Sequence, residues 1–339
     1  MDHRTLGRTG AQVTPLCLGT MMFGSWGNED HDESIRIVHA ALDAGINFVD
    51  TADVYSRGES EEIVGKALRG RRDDVVLATK FHGTMGDDPN EAGNSRRWIF
   101  REVEASLRRL GTDWIDLYQV HRWDPHTDHE ETLGALSDLV SQGKVRYIGS
   151  STYPATQIVK AQWIARERNL QRYVCEQPPY SLLARGIEAD VLPACREHDM
   201  GAIAWSPLAG GWLSGKWRKG AETPETARAQ RVPARYDLSD PANQAKLDAA
   251  DALARLADEA GLSLIHLAIA FVINHPVVSA AIIGPRTMEQ LESQLAAADV
   301  RLSSDVLDRI DEIVPPGHTI NPVDAGWQNP ALRPEALRR

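Results

Sequence analysis

Hydrophobic and polar positions along the chain follow two alternating patterns. Short apolar segments of strand length are followed by longer segments in which apolar residues recur three and four positions apart, as on one face of a helix. In residues 32–44, for example, Ile35, Val38 and Leu42 fall on one helical face. We predict eight strands, at 16–18, 48–49, 75–78, 115–120, 145–148, 173–176, 202–205 and 280–283.

The longer segments are predicted helices. They cover 32–44, 59–68, 95–110, 131–141, 154–168, 186–198, 244–260, 264–274, 288–298 and 303–314. Glycine follows several of them, as a left-handed C-terminal cap favours, at Gly45, Gly111, Gly143 and Gly201. Strands that alternate with helices, without hairpins between them, predict a parallel sheet.

Eight such repeats favour an α/β fold in which residues 1–339 form a single (β/α)8 TIM barrel. A doubly wound open sheet is the alternative, but it usually has fewer strands. Before the repeats, residues 4–13 predict an N-terminal β-hairpin with its turn at 7–10. A loop at 207–241, after strand seven, is too long for an ordinary connection, and the tail at 315–339 has no periodicity.

Charge and composition exclude several classes of partner. The chain has 37 Lys and Arg against 48 Asp and Glu, a net charge of -11, whereas nucleic acids and anionic membranes require a concentrated basic face. No apolar run approaches the ~18 residues of a membrane span. The N-terminus has no apolar segment typical of a secretory signal. We therefore expect a cytoplasmic protein, and its oligomeric state stays open.

Cysteine and histidine spacing does not predict a metal site or a disulfide. Cys17, Cys175 and Cys195 are far apart and form no CxxC pair, which favours buried, reduced thiols. The histidines at 121, 126 and 129 are close in sequence, but Pro125 interrupts them and no helix aligns them.

Four titratable residues follow the ends of neighbouring predicted strands. Asp50 follows strand two, Lys80 strand three and His121 strand four, while Tyr55 lies in the loop after strand two. Each has an ordinary structural explanation when taken alone. In a TIM barrel, however, the C-terminal ends of the strands carry the chemistry, so the four are expected to converge.

Together these residue types suit carbonyl reduction. A tyrosine has a pKa of about 10, and a nearby ammonium lowers the pKa by favouring the phenolate. A carboxylate behind the lysine keeps the ammonium charged and oriented. The tyrosine can then protonate the oxygen that becomes negative when hydride reaches carbon, and a histidine can orient that oxygen.

Four segments carry a resemblance to a known family: N-F-V-D-T-A-D-V-Y at 47–55, G-E-S-E-E-I-V-G-K-A-L at 58–68, L-A-T-K-F at 77–81 and D-L-Y-Q-V-H-R-W-D at 116–124. They resemble the aldo-keto reductase superfamily. The segments 176–185 and 205–216 are similar to its bacterial branch, which also contains the potassium-channel β-subunits. The resemblance implies a barrel that binds NADPH, or less often NADH, and a catalytic tetrad of Asp50, Tyr55, Lys80 and His121 with Tyr55 as general acid.

The resemblance also implies a set of cofactor-binding residues. The set is Thr20, Met21, Asp50, Ser151, Thr152, Gln177, Trp205, Ser206, Pro207, Leu208, Gly210, Lys216, Arg228, Gly284, Arg286, Gln290 and Gln294. Trp205 would stack on the nicotinamide, and the loop 207–241 would cover the cofactor. A glycine turn that opens a helix directs N–H groups at an anion, so Arg286 beside it is the candidate for a 2′-phosphate.

Three positions depart from the family pattern. Thr152 stands where the family more often has asparagine, Pro285 where a small residue is common, and Ser293-Gln294 where Glu-Asn is usual. The contacts to the nicotinamide amide and to adenosine are therefore expected to differ.

The substrate is expected to be a small aldehyde or ketone. Its candidate contacts are Met22, Trp26, Tyr55, His121, Trp123 and Trp327. These aromatic residues, with Trp212 and Tyr180, lie in loops that should border the barrel mouth, near the tail 315–339. They form either a wall for an apolar carbonyl or ordinary packing beneath long loops.

Two other functions remain open at this stage. A barrel lyase would use Lys80 to form a Schiff base, which requires a partly neutral lysine. A non-enzymatic regulatory subunit would bind NADPH without turnover, as the kinship with channel subunits allows.

Overall fold

Eight parallel strands close into a barrel in the computed structural model, which describes residues 1–224, 229, 232–327 and 336. The barrel strands are β3 (Leu16–Gly19), β4 (Phe48–Asp50), β5 (Val76–Phe81), β6 (Ile115–Val120), β7 (Val145–Ser151), β8 (Cys175–Gln177), β9 (Gly201–Ala204) and β10 (Val278–Ile283). They pair in chain order, and β10 closes the barrel by pairing with β3. The predicted TIM barrel is therefore confirmed.

Helices surround the strands. They are α1 (His31–Asp43), α2 (Glu59–Ala67), α3 (Arg96–Leu110), α4 (His129–Ser141), α5 (Ala155–Glu167), α6 (Val191–Glu197), α7 (Pro241–Glu259), α8 (Leu264–Asn274), α9 (Met288–Leu295) and α10 (Ser304–Ile313). Short 3-10 turns cover Tyr55–Gly58, Arg72–Asp74, Gly186–Glu188, Ala209–Gly211, Pro233–Arg235, Ala296–Asp299 and Pro322–Ala325.

The ends of α3 illustrate why these segments form helices. The Ser95 side chain accepts a hydrogen bond from the backbone N–H of Trp98, which satisfies one of the unpaired donors of the first turn. The helix ends where Gly111 adopts the left-handed conformation with φ 65°, which glycine tolerates without strain. Between these ends, Trp98, Ile99, Val103 and Leu107 are buried.

The predicted hairpin is also confirmed, and it closes the N-terminal end of the barrel. Strand β1 (Arg4–Thr5) pairs antiparallel with β2 (Gln12–Val13). Leu6 and Val13 join the apolar cluster inside the barrel, beside Phe48 at the start of β4. The Arg4 side chain donates a hydrogen bond to the carbonyl of Val278, where β10 begins. The opposite end, where the strands finish, is therefore the end that remains for a site.

Several predicted boundaries were wrong. The predicted helix 186–198 divides into the turn Gly186–Glu188 and α6, since Asp190 leaves the helical conformation and caps the second segment. Gly201 caps no helix. It begins β9, and a Cβ there would lie 2.4 Å from Ser279 Oγ, so the position is reserved for glycine by close packing. Strand three extends to Phe81, which places Lys80 inside the strand.

No single helix in the described ranges is long and apolar enough to cross a membrane. The helices α7 and α8 pass that test only as a pair bent by 94°.

Candidate active site

The four candidate catalytic side chains converge at the C-terminal end of the barrel. Asp50 ends β4, Lys80 lies one residue before the end of β5, and His121 directly follows β6. Lys80 Nζ lies 2.5 Å from Asp50 Oδ1 and 3.1 Å from Tyr55 Oη. The rings of Tyr55 and His121 meet edge to face, with centroids 5.8 Å apart. One cluster thus joins an acid, a cation, a phenol and an imidazole.

Two glutamine amides hold the other oxygen of the acid. Asp50 Oδ2 accepts a hydrogen bond from Gln119 Nε2 at 3.1 Å and from Gln177 Nε2 at 2.9 Å. Gln177 is one of the predicted cofactor residues, whereas sequence reasoning missed Gln119. A buried amide within the otherwise apolar end of β6 was the signal that could have identified it.

Lys80 is held in its charged form. Burial disfavours the ammonium, but the Asp50 carboxylate and the Tyr55 phenol together keep the pKa of Lys80 above its ordinary value. The Thr51 carbonyl accepts a further hydrogen bond from Nζ at 2.8 Å. A lysine in this state is a poor amine nucleophile at neutral pH.

Tyr55 departs from the expectation of a lowered pKa. Burial raises the pKa of Tyr55 above its ordinary value, and the Lys80 ammonium lowers it only in part. In the structure as it stands, the phenol is therefore a protonated hydrogen-bond donor at neutral pH.

His121 is a neutral imidazole at physiological pH. Burial and the positive charges of Lys80 and Arg122 place the pKa of His121 well below its ordinary range. Arg122 is held behind the site, where its Nη1 donates to the carbonyl of His121 at 2.6 Å and to Thr152 Oγ1 at 3.2 Å.

The residues predicted to face the nicotinamide lie beside this cluster. Ser151 ends β7 and Gln177 ends β8, and these two residues pair in register. Ser151 Oγ donates to the carbonyl of Gln177 at 2.9 Å. Thr152 has the left-handed conformation with φ 55°, and Trp205 follows β9 on the same rim. Ser151, Thr152 and Gln177 therefore form a continuous polar edge.

The loop after β9 has an unusual backbone. Left-handed residues recur in it, at Ser206, Ala209, Gly210, Gly211 and Gly215. Turns of this kind can direct backbone N–H groups at an anion, although those of Ala209 and Gly211 are bonded to carbonyls within the loop. Pro207 is buried, Leu208 is half-buried and Lys216 is exposed, whereas Arg228 lies outside the described residues.

A second group of predicted cofactor residues lies between β10 and α9. Gln290 Oε1 accepts the backbone N–H of Arg286 at 2.8 Å, and Gln294 donates to the carbonyl of Gln290 at 2.6 Å. Within the described chain, the Arg286 guanidinium has no hydrogen-bond or ion-pair partner. Gly284 is exposed, and a Cβ there would meet no neighbouring atom.

The residues after β3 border the cluster from the other side. Thr20 is fully buried, and its hydroxyl lies 2.8 Å from Ser60 Oγ. Met21 is partly buried and Met22 is buried. The Trp26 ring lies 6.1 Å from the Tyr55 ring.

The C-terminal tail brings a second aromatic group to this end of the barrel. The rings of Trp123 and Trp327 meet at 6.4 Å. Gly326 packs so closely on Trp205 that a Cβ would lie 2.8 Å from its ring.

Two aromatic residues expected near the mouth are instead part of the core. Trp212 is fully buried and stacks on Trp217 with centroids 4.0 Å apart. Tyr180 is buried and its hydroxyl donates to Glu188 at 2.6 Å. Among the described residues, no group of three or more His, Cys, Asp or Glu side chains could hold a metal ion.

Sequence comparison relates the chain to known proteins. The model of the aldo/keto reductase family matches residues 15–315. An uncharacterized oxidoreductase, YrpG, of Bacillus subtilis is 41% identical over 93% of this chain and 96% of its own. A probable voltage-gated potassium channel subunit beta of Arabidopsis thaliana is 36% identical over 93% of this chain and 97% of its own length.

A third relative carries the name of a reaction. Versiconal hemiacetal acetate reductase of Aspergillus parasiticus is 34% identical over 92% of this chain and 96% of its own. With a family match over nearly the whole barrel and relatives of this similarity, the chain belongs to the aldo/keto reductase family.

Proposed function

We propose that this protein reduces aldehydes or ketones to alcohols with NADPH, and that Tyr55 is the general acid. The observation that carries the proposal is the contact of Tyr55 Oη with Lys80 Nζ at 3.1 Å, since that ammonium is itself fixed by Asp50. A phenol in this position is a proton donor whose conjugate base is stabilised by an adjacent cation.

Each residue of the cluster has a separate task in this proposal. Neutral His121 hydrogen-bonds the carbonyl oxygen and fixes its direction. Tyr55 donates its proton to that oxygen as negative charge develops, and Lys80 stabilises the phenolate that remains. Asp50 keeps Lys80 charged and in place.

The residues at the rim fit a nicotinamide dinucleotide. The polar edge of Ser151, Thr152 and Gln177 offers donors and acceptors for a carboxamide, and Trp205 offers a flat ring. The left-handed turns of the loop after β9 suit a pyrophosphate. When bound, the cofactor would supply the hydride.

The preference for NADPH over NADH rests on Arg286. Its guanidinium has no partner in the described part of the chain, so it is free to bind a phosphate with two parallel hydrogen bonds. We assign the adenosine side of the site to Gly284, Gln290 and Gln294, with Arg228 as a second phosphate contact. NADH remains a weaker alternative cofactor.

The substrate site is assigned to the aromatic residues around the cluster. Trp26 lies against Tyr55, and Trp123 and Trp327 form a second aromatic pair that we assign to the same site. We assign Met22, which is buried, to the same site. This wall suits an apolar carbonyl compound, with the tail 315–339 at the mouth and the loop 207–241 over the cofactor. The three cysteines are free and buried, which supports the expected cytoplasmic location.

The two rival functions are less well supported. A Schiff-base lyase needs a neutral lysine, whereas Asp50 and Tyr55 raise the pKa of Lys80. A regulatory subunit that binds NADPH without turnover is favoured only by the similarity to channel subunits, and it gives no reason for a buried Tyr55–Lys80 contact.

The test is the replacement Tyr55→Phe, which removes one hydroxyl and leaves the ring. Turnover of a panel of aldehydes should fall about 10²–10⁴-fold while NADPH binding, followed by tryptophan fluorescence, is retained. Tyr147→Phe is the matched control, since Tyr147 lies in the first half of β7, away from the site. Equal turnover by Tyr55→Phe and the parent would refute the role of Tyr55. A parent that binds NADPH but reduces no carbonyl would favour the regulatory subunit.

A further inference from the structure

Glu176 is a fully buried carboxyl group in the middle of β8, on the face of the strand opposite to that of Gln177. Its carboxylate accepts a hydrogen bond from the hydroxyl of Ser150 and, at 3.0 Å, from the backbone N–H of Tyr153. The backbone N–H of Thr152, which lies between these two donors in the chain, bonds instead to the carbonyl of Gln177 at 3.1 Å. Ser150 and Tyr153 both donate here, so the arrangement suits an ionised carboxylate. A protonated carboxyl could donate only to the Ser150 hydroxyl, which would have to turn round and accept, because a backbone N–H cannot accept.

The turn that Glu176 contacts is strained. Thr152 is a β-branched residue with φ 55°, in the left-handed region that such residues rarely adopt. Strained residues of this kind persist only where their surroundings hold them in place. Arg122 donates to the Thr152 hydroxyl, and the Thr152 N–H donates to the carbonyl of Gln177. The next N–H along the chain, that of Tyr153, donates to the carboxylate of Glu176 beneath the turn.

This turn lies within the proposed nicotinamide site. Ser151 precedes Thr152 directly, and Gln177 follows Glu176 directly, with the carbonyl of Gln177 accepting the N–H of Thr152 at 3.1 Å. A relaxed turn would therefore displace the polar edge that is assigned to the carboxamide.

We propose that Glu176 is a positioning residue for the nicotinamide, and that its carboxylate holds the strained turn at Thr152 in the shape that binds the carboxamide. This inference rests on the proposed function, because it requires a nicotinamide at the polar edge. Glu176 itself does not touch the cofactor.

The charged groups around Glu176 determine when the carboxylate is present. Burial raises the pKa of Glu176 to about 7, against the hydrogen bonds from Ser150 and the turn and against the charge of Arg122, which lower it. The titratable or charged groups that face it are Arg122, Tyr153, Tyr173, Cys175 and Cys195. Burial raises the pKa values of these thiols and phenols, so they remain neutral while Glu176 titrates, and Arg122 is the cation of the set. Cofactor affinity should therefore fall as the pH drops through the pKa of Glu176, because the carboxylate becomes protonated.

The experiment measures the dissociation constants of NADPH and NADH by tryptophan fluorescence, from about pH 6 to about pH 8. Glu176→Gln should weaken both cofactors about tenfold at the upper pH and should remove the pH dependence. NADH is the necessary second probe, because a phosphate group titrates near pH 6 and contributes its own pH dependence to NADPH. An unchanged affinity in Glu176→Gln would overturn the proposal.

A double-mutant cycle separates positioning from a general structural role. Glycine adopts φ 55° without strain, so in Thr152→Gly the turn no longer needs to be held. Adding Glu176→Gln to Thr152→Gly should then weaken binding less than about threefold, compared with about tenfold in the parent. An equal penalty in both backgrounds would show that Glu176 does not act through the turn.

A milder variant keeps the test usable if Glu176→Gln does not fold. Ser150→Ala removes one donor from the carboxylate, so the midpoint of the pH dependence should move upward. An unmoved midpoint would count against the proposal. These readouts are binding measurements, so a parent that binds neither nucleotide refutes the proposed function, whereas binding that is insensitive to Glu176 refutes this inference alone.

Discussion

Asp50→Asn removes the charge from one partner of a buried ion pair and changes almost nothing else. The Lys80 side chain is 0% exposed and that of Asp50 is 3% exposed, with their charged atoms 2.5 Å apart. The second carboxylate oxygen accepts from Gln119 and Gln177. Asparagine has one carbonyl oxygen in place of two carboxylate oxygens, so its amide N–H₂ must face either Lys80 or the two glutamine donors.

The expected destabilisation is large. Removing one partner of a buried pair leaves an uncompensated charge and costs about 3–5 kcal/mol. The free energy of unfolding of a domain is about 5–15 kcal/mol in total, so the variant should still fold but with a lower free energy of unfolding. Asp50 also holds the pKa of Lys80 above its ordinary value. Without that carboxylate, only Tyr55 still opposes the effect of burial on the lysine pKa. The lysine then becomes neutral more easily, and turnover should fall as well.

Urea unfolding followed by tryptophan fluorescence measures this effect, because the chain has nine tryptophans. The matched control is Asp43→Asn, which removes the charge from a surface pair in which Arg71 Nη1 lies 2.7 Å from Asp43 Oδ1. Exposed pairs contribute about 0–1 kcal/mol, so this control should be nearly neutral. A loss in Asp50→Asn below about 1 kcal/mol, with an unchanged m-value, would refute the reasoning.

Four further predictions address other parts of the molecule. Arg286→Ala should weaken NADPH far more than NADH in fluorescence titrations, and equal losses would contradict a 2′-phosphate contact. Burial and two nearby carboxylates raise the pKa of Asp53, so the folded protein keeps this proton to a higher pH than the unfolded chain. The free energy of unfolding therefore falls as the pH rises above about 4. Asp53→Asn should raise the urea midpoint at pH 7 but not below pH 4. Asp324 in the tail forms a buried ion pair with Lys246 of α7, with Lys246 Nζ 2.8 Å from Asp324 Oδ2. Asp324→Asn breaks this pair and should lower the free energy of unfolding by about 3 kcal/mol. Trp327→Ala should raise KM for an aromatic aldehyde more than for a short aliphatic one, in steady-state assays.

The pattern of the sequence predicted the fold because the pattern is local. A strand buried on both faces reads as a short apolar run, and a covering helix reads as a 3.6-residue period, whatever their partners are. The hairpin at 4–13 and the eight strands followed from this rule. Boundaries such as 186–198 were wrong because Asp190 can either continue a helix or cap one, and only its geometry in the folded chain decides between them.

The candidate site was predictable only in part. Asp50, Tyr55, Lys80 and His121 could be named because the ends of parallel strands meet at one end of a barrel. Gln119 was missed: its place in a strand was a signal, but its contact with Asp50 depends on the strands being staggered so that residues from β4, β6 and β8 form one layer.

By itself, the sequence determined the order of strands and helices, the chain segments that carry titratable residues at strand ends, and the net charge of -11. The tertiary structure alone decided which groups lose contact with water. It buried Glu176 beneath a turn, gave Thr152 a left-handed backbone and left the Tyr55 phenol protonated. The physical reason is that hydrophobic periodicity reports the neighbours of a residue along the chain, whereas a pKa and a strained dihedral depend on neighbours that barrel closure brings together.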